Sequence, residues 1–285
     1  MAQTDFAQSV LACFEEPDPE RKVALTRSAV ACAAAGASVP EVVQTPFAGA
    51  AGEPGRPPLP RLVGPRQLPK RGLHDPSGRA ALIHAVAHIE FNAINLALDA
   101  VLRFPGLPED YYADWLRVAG EEAEHFGLMR ERLRDMGYDY GDFAAHDGLW
   151  EMARQTAGDP LQRMALVPRV LEARGLDVTP GMIERLRAVG DRDSADRLRV
   201  ILRDEVGHVA IGSRWFRWLC AQRGLEPRGT YLDLIRAHFG ASVRCPLNLA
   251  DRRRAGFDEA ELDGLMALCG GDRAARGPSA ANGQE

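Results

Sequence analysis

Two short stretches of this sequence, EEAEHF at 121–126 and RDEVGH at 203–208, each set a glutamate three positions before a histidine: Glu122 with His125, and Glu205 with His208. On a helix, residues three apart share a face, so each pair would direct a carboxylate and an imidazole toward one point. Oxygen and nitrogen donors together suit divalent iron or manganese. A single Glu-x-x-His is usually a solvated pair with no ligand. Here the motif occurs twice, and each copy has a lone glutamate upstream: Glu90 precedes Glu122 by 32 residues, and Glu172 precedes Glu205 by 33. One lone Glu and one Glu-x-x-His per half is what a pseudo-twofold pair of metal ions requires.

The elements that must position these side chains read as helices. Apolar residues recur at three and four, strand-like alternation is scarce, and the fold class is therefore all-α. Four long helices are expected at about 76–103, 109–136, 160–174 and 192–222. The first opens at Asp75-Pro76, the third closes at Gly175 and the fourth near Gly224. Shorter helices are expected at 147–157, at 180–189 behind Thr179-Pro180, and at 230–240, with two more inside 5–38. Residues 1–45 then form an N-terminal helical extension, 46–75 an extended Pro/Gly-rich strap, 76–270 the bundle domain and 271–285 a polar disordered tail. A short loop makes the first two long helices antiparallel, whereas more than twenty residues separate the second from the third, enough for one long crossover.

Each long helix interrupts its own apolar stripe with charge. Glu90 falls between Val86 and Ile94, Glu122 and His125 between Val118 and Met129, and Glu205 and His208 between Ile201 and Gly212; Met164 and Pro168 lead to Glu172. Burying one uncompensated ion costs several kcal/mol. Two divalent cations would balance the four glutamates, and two neutral imidazoles would complete the coordination. Glu121 and Asp204 each sit just before a ligand Glu and one turn before a ligand His, placed to accept the imidazole's other N–H. Pro168, one turn before Glu172, is expected to kink its helix.

The stretches HAVAHIEFNAINLALDA, LRVAGEEAEHF, ALVPRVLEARGLDVTPGMI and LRDEVGHVAIGSRWF resemble an uncharacterised bacterial ferritin-like family, domain-of-unknown-function family 455, over residues 5–265. That resemblance implies a ferritin-like four-helix bundle with one long crossover, of the kind found in di-iron and di-manganese carboxylate proteins. It also implies Glu90, Glu122, His125, Glu172, Glu205 and His208 as metal ligands, and it brings no substrate. The paired motif is similar, more distantly, to that of tRNA-modifying di-iron hydroxylases. DEVGH resembles the Asp-Glu-x-x-His form of bacterial multicomponent monooxygenases.

Composition narrows the partners. The 285 residues carry 35 basic and 40 acidic side chains, a formal charge of -5 with no basic stripe, so nucleic acid is not an expected partner. Five cysteines, at 13, 32, 220, 245 and 269, are widely spaced without a C-x-x-C, so neither a disulfide framework nor a zinc or rubredoxin site is expected, and a reducing cytoplasm fits. No apolar run is read as long enough to span a bilayer, and Glu15 and Glu16 break any signal-peptide core, so no membrane partner is expected. His84 and His88 share a stripe with Asn92, Asn95 and Asp99 nearly opposite Glu90, which reads as a polar or inter-element face rather than a zinc pair. Tyr138, Tyr140, His146 and Trp150 read as packing over a bundle end, with a lid or substrate contact as the sharper alternative. Arg252, Arg253 and Arg254 read as a solvated helix flank.

The expected function is that of a dinuclear metal protein, with two divalent ions, iron first and manganese second. It would act as a dioxygen-dependent oxidase or hydroxylase on an organic small molecule, fed by an external electron donor because no dinucleotide-binding loop occurs. Iron storage or detoxification, a peroxide-consuming di-manganese catalase-like activity and, distantly, a tRNA-modifying hydroxylase stand as alternatives. No catalytic residue beyond the ligands is assigned.

Overall fold

The computed structural model describes residues 4–34, 52–69, 71–240 and 243–269. The expected disordered tail at 271–285 lies outside them. All regular elements among the described residues are helical, and the only β feature there is one isolated parallel bridge, Leu62 to Ala145. The helices are α1 (Thr4–Glu15), α2 (Pro19–Ala34), α3 (Pro76–Arg103), α4 (Glu109–Asp135), α5 (Gly148–Gln155), α6 (Pro160–Leu166), α7 (Ala173–Ala188), α8 (Arg192–Gln222), α9 (Pro227–Phe239), α10 (Leu249–Arg254) and α11 (Glu259–Leu268). A π-helical segment, Val167–Glu172, joins α6 to α7. Contacts divide the chain into two compact units, Met1–Arg163 with Thr179–Asp204, and Met164–Val178 with Glu205–Glu285.

In the first unit α3 packs along α4, while α1 and α2 cover them. Asp75 starts α3 by accepting from the Ser77 N–H at 2.9 Å, with Pro76 at the first helical position. The helix is buried on nearly every side, which makes it a core helix. Contrary to the sequence reading, α3 reaches the length and hydropathy of a membrane span, yet 78% of the relevant window is buried inside the protein. Its polar face is inter-element. His88 Nδ1 lies 2.9 Å from the Tyr140 hydroxyl, His84 Nε2 accepts from the Gly141 N–H at 2.9 Å, and Asp99 binds Arg103 and Arg163. Tyr140 stacks among Phe91, Phe126 and His84, and Trp150 packs on Phe14.

The strap is tied down through backbone and side chain. Val63 N–H donates to the Ala145 carbonyl, Gly55 N–H to that of Phe14, and the Glu53 carboxylate accepts from Trp150 Nε1 and from Arg154. Arg56 reaches both Asp147 and Asn92. Lys22 is fully buried and donates from Nζ to the Cys13 and Phe14 carbonyls, both at 2.8 Å, capping the C-terminal end of α1.

The second unit corrects three expectations. The helix expected to stop at Gly175 instead runs on as α7 through Pro180 to Ala188. Pro180 cannot donate to the Leu176 carbonyl four residues back, but Asn248 Nδ2 donates to it at 3.1 Å and removes most of the cost. Arg252 is 3% exposed and not a solvated flank, because its guanidinium forks onto both oxygens of Asp177 at 2.9 and 2.7 Å. Arg253 and Arg254 face outward and pair with Glu259 and Asp251. Cys245 and Cys269 form a disulfide, although their spacing gave no sign of one. Cys13 and Cys220 are buried free thiols.

Candidate metal centre

The first unit brings together one lone Glu and one Glu-x-x-His. Glu90 on α3 is 5% exposed, and Glu122 and His125 on α4 are each 1% exposed. His125 Nδ1 lies 3.2 Å from Glu122 Oε2 and 3.5 Å from Glu90 Oε2. The other ring nitrogen, Nε2, donates to Asp204 Oδ2 at 3.2 Å. The short turn between α3 and α4 sets the two helices side by side, and the three-residue spacing on α4 turns Glu122 and His125 to the same face.

The electrostatics of this cluster call for positive charge. Burial raises the Glu90 carboxyl well above its usual range, and the neighbouring Glu122 charge raises it further. Burial opposes the charged form of His125, but hydrogen bonds and charges from Glu122 and Glu90 outweigh it and push the imidazole up to about 11. The cluster therefore holds a proton where its oxygen and nitrogen donors converge, and a metal cation fits that donor set. Asp204 is held below the usual carboxylate range, first by its hydrogen bond with Arg203 and also, against partial burial, by His125. Glu121 Oε1 lies 3.6 Å from Arg117 Nη1 on its own helix.

The second unit carries the other trio. On α8, His208 is fully buried, and its Nδ1 lies 3.3 Å from Glu205 Oε2. Glu172 is half-buried at the end of the π segment, with its Oε2 shielded from solvent. Two glycines show how that segment lies on α8. A Cβ on Gly175 would stand 3.9 Å from Glu205 Cγ, and a Cβ on Gly212 would stand 2.4 Å from Pro168 Cγ. Moving seven residues forward on one segment thus matches moving seven back on the other, an antiparallel register that sets Glu172 level with His208. Pro168 lies inside the π segment. Its missing N–H falls where the backbone winds into a π turn, and that extra residue per turn rotates the positions that follow.

Sequence reasoning did not find the Gly212 contact or the Arg203 pairing of Asp204. A glycine one turn beyond His208 on a buried stripe was the available signal for the first.

Comparison with known proteins places this molecule in a family. The family described as "Protein of unknown function (DUF455)" matches residues 15–263, and the chain belongs to it. An uncharacterized protein of Haemophilus influenzae is 48% identical over 219 residues, covering 74% of this chain and 76% of that one. No solved structure matches.

Proposed function

We propose that the chain is a ferritin-like dinuclear metal protein, with Glu90, Glu122 and His125 as one set of ligands and Glu172, Glu205 and His208 as the other, and that it is a dioxygen-dependent oxidase or hydroxylase. The observation that carries this reading is the duplication. Each unit buries a Glu-x-x-His in which carboxylate and imidazole stand 3.2 or 3.3 Å apart, with a lone Glu supplied by the neighbouring element. The chain supports it too, because Asp204, which holds His125, is followed directly by Glu205.

Bound metal, iron first and manganese second, would supply the binding and reduction of dioxygen. The protein's own contributions follow from its residues. Asp204 accepts the Nε2–H of His125, which leaves Nδ1 as the nitrogen turned toward Glu90 and Glu122. Glu90, Glu122 and His125 would hold a cation only once deprotonated, so metal uptake would release protons and weaken as pH falls. Burial of Glu122, His125 and His208 excludes bulk water from the reacting groups. The organic substrate and an external electron donor complete the proposed reaction.

The test is metal analysis of the purified protein, followed by anaerobic ferrous loading and measured dioxygen uptake. Glu122→Ala and Glu205→Ala are each expected to lose bound metal and dioxygen uptake. Glu131→Ala is expected to keep both, since Glu131, on the same α4 as Glu122, is a surface partner of Arg197 of α8. Equal metal content in all three variants would overturn the assignment.

A further inference from the structure

The second unit holds a partly open cavity of about 510 Å³ that is lined by none of the residues proposed as ligands. Its charged lining is four arginines, Arg169, Arg174, Arg244 and Arg252, against one carboxylate, Asp177. Its apolar lining is Val170, Leu171, Ile235, Phe239, Val243 and Leu265. That volume suits an organic molecule rather than an inorganic ion.

The arginines are not equivalent. Arg252 forks onto Asp177, and Arg174 lies 3.6 Å from the same carboxylate while donating to the Arg244 and Pro246 carbonyls. Arg169 is fully buried and donates to Glu261 Oε1 at 2.6 Å, with the rings of Tyr231, Phe257 and Phe216 at 4.1 to 4.7 Å from its guanidinium carbon. Its Nε and Nη1 have no hydrogen-bond partner. A buried cation so incompletely answered keeps the floor of the cavity positive. At the rim, Arg244 is exposed, and its guanidinium has no ion-pair partner among the described residues. The segment that bears it is pinned, through the Cys245–Cys269 disulfide and the Val243 N–H donated to the Leu268 carbonyl at 3.4 Å. One free guanidinium thus stands at the entrance of a greasy pocket with a positive floor.

We infer that this cavity binds an amphipathic organic monoanion, with its apolar body against Ile235, Phe239 and Leu265 and a single carboxylate at Arg244. Charge complementarity sets the head group: four lining guanidiniums face only two carboxylates, Asp177 and Glu261, and Arg244 is the one of the four with neither within ion-pair distance. The apolar wall sets the tail. The π segment that presents Glu172 also forms part of this wall through Arg169, Val170 and Leu171, so an occupant rests against the backbone next to that glutamate.

Isothermal titration of the metal-free full chain with dodecanoate tests the inference without depending on any metal. Saturable one-to-one binding is expected, with dodecanol and dodecyltrimethylammonium each at least about tenfold weaker and acetate not binding. Arg244→Glu, a change at an exposed side chain, is expected to weaken dodecanoate by at least about tenfold while leaving the melting temperature unchanged. Val243→Trp, which fills the cavity from a half-buried wall, is expected to abolish binding. Absence of dodecanoate binding, equal binding of the cationic analogue, or unchanged affinity in Arg244→Glu would overturn it.

Discussion

Alanine at Gly212 tests the contact that seats Glu172 on α8. In an ordinary helix interior, glycine to alanine gains roughly 1 kcal/mol, because alanine loses less backbone freedom on folding. Here the new Cβ would lie 2.4 Å from Pro168 Cγ and 2.5 Å from Pro168 Cβ. Neither atom can swing aside, since both belong to a ring closed on the backbone, so the two segments must part by about 1 Å to restore normal contact. Overpacking of this kind costs about 1–3 kcal/mol, which cancels or outweighs the helical gain and leaves a net loss of up to about 2 kcal/mol. Gly207 on the same helix is the matched control. A Cβ there meets nothing within 4 Å, so Gly207→Ala should gain up to about 1 kcal/mol. Urea unfolding monitored by circular dichroism reads both. The two variants should move in opposite directions, and Gly212→Ala should also bind less metal, because parting the segments draws Glu172 away from His208. If Gly212→Ala gained stability as Gly207→Ala does, the close approach of Pro168, and the register derived from it, would be refuted.

Two further outcomes are expected. Burial lowers Lys22 to about 7 from its ordinary 10.5. An unfolded chain keeps that proton up to about pH 10.5, so between about 7 and 10.5 it binds more protons than the folded one and stability rises with pH, by on the order of 5 kcal/mol across the window. Below pH 7 the full burial cost is present. Comparing the pH slope of unfolding free energy in the parent and in Lys22→Met checks this: the rise should vanish in the variant. Asp204→Asn, which keeps the shape but removes the charge that holds His125 Nε2, should weaken metal binding by about 10–100-fold while changing the melting temperature little; an unchanged metal affinity would remove Asp204 from the centre.

The helices that carry ligands were legible where local chemistry decides their ends. Asp75-Pro76 marks the start of α3, and the apolar stripe on α8 runs from Leu198 to Leu219, broken only where Glu205 and His208 enter it. Burial of Glu90, Glu122, His125 and His208 followed from their places on those stripes. The misreadings have a common cause, which is that the decisive partner lies far away in the chain. Gly175 and Pro180 look like a stop and a start, yet Asn248, more than sixty residues on, answers the carbonyl that Pro180 abandons. Arg252 looks like surface charge until Asp177 is set opposite it. Cys245 and Cys269 pair because α11 returns to the segment after α9, and spacing alone carries no record of that return.

The bonds made by residues 53–63 also bear on how the chain can be shortened. A fragment beginning at Pro76, where the sequence reads as a fresh start, would lack Glu53, Arg56 and Val63. The Trp150 indole N–H, Asn92 and the Ala145 carbonyl would each lose a partner, and the α1 face that covers α3 would go with them. Unpaired polar groups beside newly bared apolar surface make such a truncation a candidate for aggregation rather than a minimal domain. For this molecule the leading segment is part of the folding unit it precedes.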